Sequence, residues 1–171
     1  ASRLRGHNAD GCIVPEPNQM LISPAHRGGA MWRITLRGAS GMPFGTDELI
    51  NPAYGIGALV VAIQQWEKAR NQRINPHPLY TTIPGLPVLI TNLSAGDFVR
   101  GTGDSVPRSA MLEVWVELYP GTTFDEIYND FIGYIKDVAA KSPLIQRCEM
   151  DIHQEVRFLP ASEIPIETPI V

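Results

Sequence analysis

What the sequence lacks narrows it first. Cysteine is limited to Cys12 and Cys148, which lie far apart and match no metal-ligand or redox spacing. A disulfide framework is therefore excluded, and two buried thiols in a reducing compartment are expected. No HxxxH, HxH or CxxC pair exists, and His7, His26, His77 and His153 are scattered. No apolar run approaches the ~20 residues of a spanning helix, and the start shows no signal-peptide pattern. The expectation is thus no membrane association and a cytoplasmic location. Basic residues form no stripe: 14 of them are mixed with 18 acidic ones to give a net charge of -4, which argues against a nucleic-acid partner. No serine sits in a nucleophile elbow and no glycine-rich phosphate loop opens a helix, residues 101–105 (GTGDS) being only a weak lookalike.

What is present is one ordinary domain's worth of chain, 171 residues with 44% hydrophobic and 19% charged residues, typical globular values. The stretch 24–52 organises the rest. It reads as a turn, a strand over 30–37 in which Trp32, Ile34 and Leu36 alternate with polar neighbours, a Gly/Ser/Pro loop over 38–45, and a helix start at Asn51-Pro52. Upstream, the apolar run 10–14 closed by Pro15-Glu16-Pro17 predicts a buried strand. Downstream, Ile56, Leu59, Val60, Ile63 and Trp66 recur at helical spacing until the pattern fades at Asn71. Four prolines make 72–87 an extended connection, 88–92 a second strand, and 94–107 a long glycine-bearing loop.

Residues 108–119 give the clearest strand, with Leu112, Val114, Val116 and Leu118 on one side. Thr123 and Glu126 make a capping box for a helix whose stripe is Phe124, Ile127, Phe131, Ile135 and Val138. A last strand over 147–158 places Cys148, Met150, Ile152, Val156 and Phe158 on one parity and charged residues on the other. The order strand, helix, strand, strand, helix, strand predicts an α+β, ferredoxin-like βαββαβ fold: a four-stranded antiparallel sheet with two helices on one face. Right-handed crossovers put the first and third strands in its centre. The lack of an initiating Met and the proline-bearing tail with Pro165 and Pro169 read as a piece of a longer protein.

The runs CIVPEPN, PAHRG, WRITLRG, INPAYGIGALV and ELYPGTTFDEI, in this order, resemble the central part of the zinc-dependent aminoacylase, acetylornithine deacetylase and succinyl-diaminopimelate desuccinylase family. The resemblance covers nearly the whole chain. It implies that 24–159 is an inserted dimerisation or lid domain, flanked by 1–23 and 160–171 from a catalytic domain that holds two zinc ions. It further implies a homodimer, a small N-acyl or peptide substrate, and a fragment that is inert alone because most of the machinery lies outside it. Glu16 matches the family's metal-binding E-P motif.

Other positions depart from the family pattern. Relatives carry a His in the loop after the first strand, reaching across the dimer to the developing oxyanion; here that position is Met42, followed by Pro43, and a thioether donates no hydrogen bond. A family Asn falls on Asp104, and a frequent Arg falls on Glu117. These substrate-facing positions imply a substrate less anionic than an N-acyl amino acid, or even cationic. The alternative reading is a free-standing ferredoxin-like binding or regulatory module without enzymatic activity.

Overall fold

The computed structural model describes residues 5–6, 9–15, 21–42, 44–45, 48–81, 85–96 and 105–169. Alternating apolar residues build the sheet as expected. The strands β1 (Ala25–His26), β2 (Gly28–Arg37), β3 (Val88–Ala95), β4 (Ser109–Leu118), β5 (Glu149–Leu159) and β6 (Ser162–Glu163) follow in chain order. Four of them form one antiparallel sheet in the order β3-β4-β2-β5, so the predicted central strands are central. Trp32, Ile34, Leu36, Leu112, Val114, Val116 and Leu118 are all buried on its inner face.

The described α-helices pack on that face. The long α1 (Pro52–Arg73) starts where Asn51 accepts a hydrogen bond from the Ala53 N–H and Pro52 fills the first turn. It does not stop at the fading of its apolar pattern. Glu67 Oε1 accepts from the Val88 N–H at 3.0 Å, and Asn71 exchanges two hydrogen bonds with Leu86, at 2.9 and 3.1 Å. Arg70, only 4% exposed, lies 5.2 Å over the Trp66 ring and donates to the Glu117 carbonyl at 2.9 Å. Burial depresses its pKa below the ordinary arginine value. Polar residues thus carry the last helical turns, and the helix ends two residues past Asn71. A short 3-10 turn, Pro78–Tyr80, follows.

The second helical layer is one sequence stripe in three pieces: α2 (Phe124–Ile127), a π turn (Tyr128–Ile132) and α3 (Gly133–Lys141), followed by the short α4 (Pro143–Gln146). The extra residue of the π turn lets adjacent Phe131 and Ile132 both point into the core. Phe131 packs between Trp32 and Trp66, with ring centroids 5.3 and 4.8 Å away.

At the start of α2, Thr123 and Glu126 form the predicted reciprocal cap. The Thr123 N–H, and after it the Thr123 hydroxyl, hold the Glu126 carboxyl below its ordinary value of 4.5. A depressed folded pKa contributes stability that is present above the ordinary value and lost as pH falls through the folded one. Glu126→Gln is therefore expected to flatten the acid side of the stability profile, read by urea denaturation at a series of pH values, without changing it at neutral pH beyond the loss of the cap.

Three expectations are corrected. Val156 does not share the inner face with Ile152, because register shifts between Gly29, Met31 and Trp32 insert extra residues into β5 and turn Val156 opposite Met31 on the open face. Residues 10–14 form no strand; Ile13 and Val14 are exposed, since no described strand pairs with them. Cys12 is exposed as well, and Cys148 is only half-buried, its thiol pKa pushed up by that burial.

Two short segments far apart in the chain meet in a feature the sequence did not announce. β1 pairs antiparallel with β6, Ala25 opposite Glu163 and His26 opposite Ser162, and the Ile164 N–H donates to the Pro24 carbonyl at 2.9 Å. This two-stranded neck is held from the side by His77, whose Nε2 lies 3.1 Å from the Glu163 carboxylate and whose ring packs on Tyr80 and Tyr119. Among the described residues no helix is long and apolar enough to cross a membrane.

Candidate functional site

The sheet has two ends with different chemistry. At the end away from the neck, β2 runs out into the loop 38–50, which is pinned at its base. The Gly38 N–H donates to the Arg108 carbonyl at 2.9 Å, and the Ile50 N–H to the Ala39 carbonyl at 3.1 Å. Gly38 is required there, because a Cβ would lie 2.1 Å from the Ile50 carbonyl oxygen. One step further the Val106 N–H donates to the Gly41 carbonyl at 2.9 Å. The two loops singled out from sequence, 38–45 and 94–107, are thereby joined where they are described.

The described side chains at its tip are apolar. Met42 is 49% exposed and its carbonyl accepts from the Gly45 N–H at 3.2 Å, while Phe44 is 84% exposed. Such a tip offers van der Waals contact and no hydrogen-bond donor from the side chain at position 42. Pro43, Asp104 and Glu16 lie outside the described residues.

Glu117 stands at the other end of β4, about 26 Å along the strand from Ser109 at ~3.3 Å per residue. Within one chain it does not share a small ligand with Met42. Its carboxylate is ion-paired with Arg27, so its charge is balanced inside the fold. Above it burial raises the pKa of Tyr80. Among the described residues no group of three or more His, Cys, Asp or Glu side chains is placed to hold a metal ion. The described residues therefore do not make a zinc centre, and no chemical step is derived through one.

The side of the domain formed by α1 and β3 offers a surface of another kind, a strand edge with its neighbouring helix. The helix α1 is apolar nearly all round in its first three turns: Ile56, Leu59 and Ile63 are buried, yet Tyr54 and Val61 stand 66% and 53% exposed, with Gly57 open between them. A helix with two apolar faces is one that expects cover on both. Beside it, the edge strand β3 (VLITNLSA) carries no charge, whereas the opposite edge, β5, carries Glu149, Asp151, Glu155 and Arg157. Charges on an edge prevent sheet-to-sheet pairing, and their absence permits it. An open groove of about 310 Å³ lies between the two elements, lined by Ala53, Ile56, Gly57, Leu93, Ser94 and Ala95. The signal was available in the sequence as an uncharged strand and a helix whose apolar residues exceed one stripe.

The family model described as peptidase dimerisation domain matches residues 24–143. No curated protein matches the chain in sequence. Among solved structures, the fold is similar to AtUAH in complex with (S)-hydroxyglycine (TM-score 0.58, 12% identity, 82% of this chain and 29% of that one). It is also similar to a hydantoinase/carbamoylase family amidase from Burkholderia ambifaria (TM-score 0.61, 8% identity, 84% and 31%) and to human carnosine dipeptidase 1 (TM-score 0.60, 13% identity, 86% and 40%). At these identities the likeness is one of fold, and the chain spans between 29% and 40% of the length of these structures.

Proposed function

Because the chain belongs to the peptidase dimerisation domain family, we propose that it is the inserted dimerisation, or lid, domain of a two-zinc amide hydrolase, and that it holds two such hydrolases together as a homodimer. The observation that carries the dimer is the pairing of an uncharged edge, β3, with the exposed apolar stripe Tyr54, Gly57 and Val61 of α1. A two-fold copy paired antiparallel at β3 extends the sheet to eight strands and lays α1 against its own copy. The groove by Gly57 then receives an apolar side chain of the partner. The neck supports the insertion, since it brings the segments on both sides of the domain out side by side.

Zinc and the amide-hydrolase activity follow the resemblance in sequence and the likeness of fold to an amidase and a dipeptidase. With no metal-holding group among the described residues, the chain's own part is assembly and the presentation of the 38–50 loop, and the isolated chain is expected to be inactive. The unpaired thiols of Cys12 and Cys148 support a reducing compartment such as the cytoplasm. The test is to express the full reading frame that contains this chain, load it with zinc, and assay N-acetyl amino acids, N-carbamoyl amino acids and dipeptides. Hydrolysis of one class, lost with a chelator and absent from the 171-residue chain, is expected. A full-length protein that cleaves none of them contradicts the reading.

The substrate preference proposed from positions 42 and 104 is a substrate less anionic than an N-acyl amino acid, Glu117 being balanced by Arg27. Replacing Met42 by His adds the donor that relatives carry at this position. Met42→His is therefore expected to raise kcat on N-acetyl amino acids by about a hundredfold, the lower end of the range for one oxyanion donor. An unchanged kcat contradicts a role for this position.

A further inference from the structure

At the neck His77 stands between two partners, one for each ring nitrogen. Its Nδ1 accepts the Leu79 N–H at 3.2 Å and so caps the turn Pro78–Tyr80, while its Nε2 lies 3.1 Å from the Glu163 carboxylate of β6. A donor facing one nitrogen and a carboxylate facing the other define the neutral ring: its proton sits on Nε2 and is donated to Glu163.

The ring is held to this pair of contacts. It packs on Tyr80 and Tyr119 with centroids 5.3 and 5.5 Å away, and those two rings lie 5.5 Å from each other. Pro78 restricts the residue before it to extended backbone, and His77 is extended (φ −77°, ψ 134°). A second proton therefore has one place to go, Nδ1. There it meets the Leu79 N–H donor against donor, and the cap of the turn is lost. In the same step the ring gains a positive charge opposite Glu163, so the hydrogen bond to β6 becomes one between opposite charges.

We propose that His77 is a pH-sensitive latch between the neck and the body of the domain. Neutral, it caps the turn 78–80 and holds β6 lightly; protonated, it releases the turn and grips β6 through Glu163. The latch stands on contacts within this chain and does not need the hydrolase reading. The other groups around the ring do not duplicate it. On the turn, Tyr80 is held above its ordinary pKa, by burial first, and stays neutral. From the end of β4 come Tyr119 and Glu117, and from the junction of β1 and β2 comes Arg27, which is ion-paired with Glu117. His26 of β1, exposed and opposite Ser162, is the second histidine of the neck and is controlled for below.

Amide exchange of the 171-residue chain, followed by NMR and corrected for its intrinsic pH dependence, reads the two sides of the latch separately. Between about pH 8 and about pH 5.5, which bracket the ordinary histidine range, the Leu79 N–H is expected to lose protection severalfold. The Ile164 N–H, donated across the neck to the Pro24 carbonyl, is expected to gain protection severalfold. Opposite responses separate a latch from general loosening in acid, which exposes both amides. His77→Asn keeps a capping oxygen for the Leu79 N–H but lacks the reach to Glu163, so both responses should vanish. Glu163→Gln should abolish the Ile164 response and keep that of Leu79, whereas His26→Gln should keep both. Responses of the same sign in the wild type, or no response, overturn the proposal. Responses that persist in His77→Asn, or that disappear in His26→Gln, overturn it as well.

Discussion

Val61→Glu is expected to turn the dimer of this domain into a monomer while leaving the fold intact. The reason is its position along the proposed two-fold. Glu67 bonds to the start of β3 and Ala53 and Ile56 lie beside its end, so α1 runs antiparallel to β3. The middle of β3, near Thr91 and Asn92, then lies level with Val61 at ~1.5 Å per helical residue and ~3.3 Å per strand residue. A two-fold through the middle of that strand brings Val61 against its own copy. In the variant each protomer loses about 1.5 kcal/mol of apolar burial at this position, and the introduced carboxylate faces a like charge. Together the two copies weaken association by on the order of a hundredfold or more. Val61 is 53% exposed in the single chain, so circular dichroism and thermal midpoint should change little. A variant that sediments as the wild type does would place the interface elsewhere.

The second large effect is on stability. Phe131→Ala is expected to cost about 3–5 kcal/mol, the range for removing a buried phenylalanine. Phe131 is fully buried and its ring contacts both Trp32 of the sheet and Trp66 of α1, so its loss opens a cavity between the helices and the sheet. That is a large share of the roughly 5–15 kcal/mol typical of a domain. Phe131→Leu, which keeps most of the volume, should cost much less. Urea denaturation midpoints of the three proteins give the comparison, and a Phe131→Ala cost near that of Phe131→Leu would mean the π turn relaxes to fill the space.

Where a residue's surroundings repeat with a fixed period, the sequence was a sufficient guide. Trp32, Ile34 and Leu36, and then Leu112 through Leu118, are buried as alternation requires, and their strands are central. Period-based reasoning fails where one residue is added. Phe131 and Ile132 are both buried because of the π turn, and Val156 crosses to the open face because of the shifts in β5. It also fails where polar contacts rather than apolar ones extend an element, as Asn71 does for α1 through Leu86. Of the candidate site, the loop carrying Met42 and its junction with Val106 are in view, and Glu117 is seen to be balanced by Arg27. The neck had no local signature, because β1 and β6 are two residues long and become strands only by meeting each other.

The central claim, that this domain joins two copies of its parent through β3 and α1, is tested most directly by sedimentation equilibrium of the 171-residue chain and its Val61→Glu variant. A wild-type mass twice the 18.8 kDa of one chain is expected, and a variant mass of one chain at the same concentration. A wild-type chain that stays monomeric at high concentration, or a variant that stays dimeric, would contradict it.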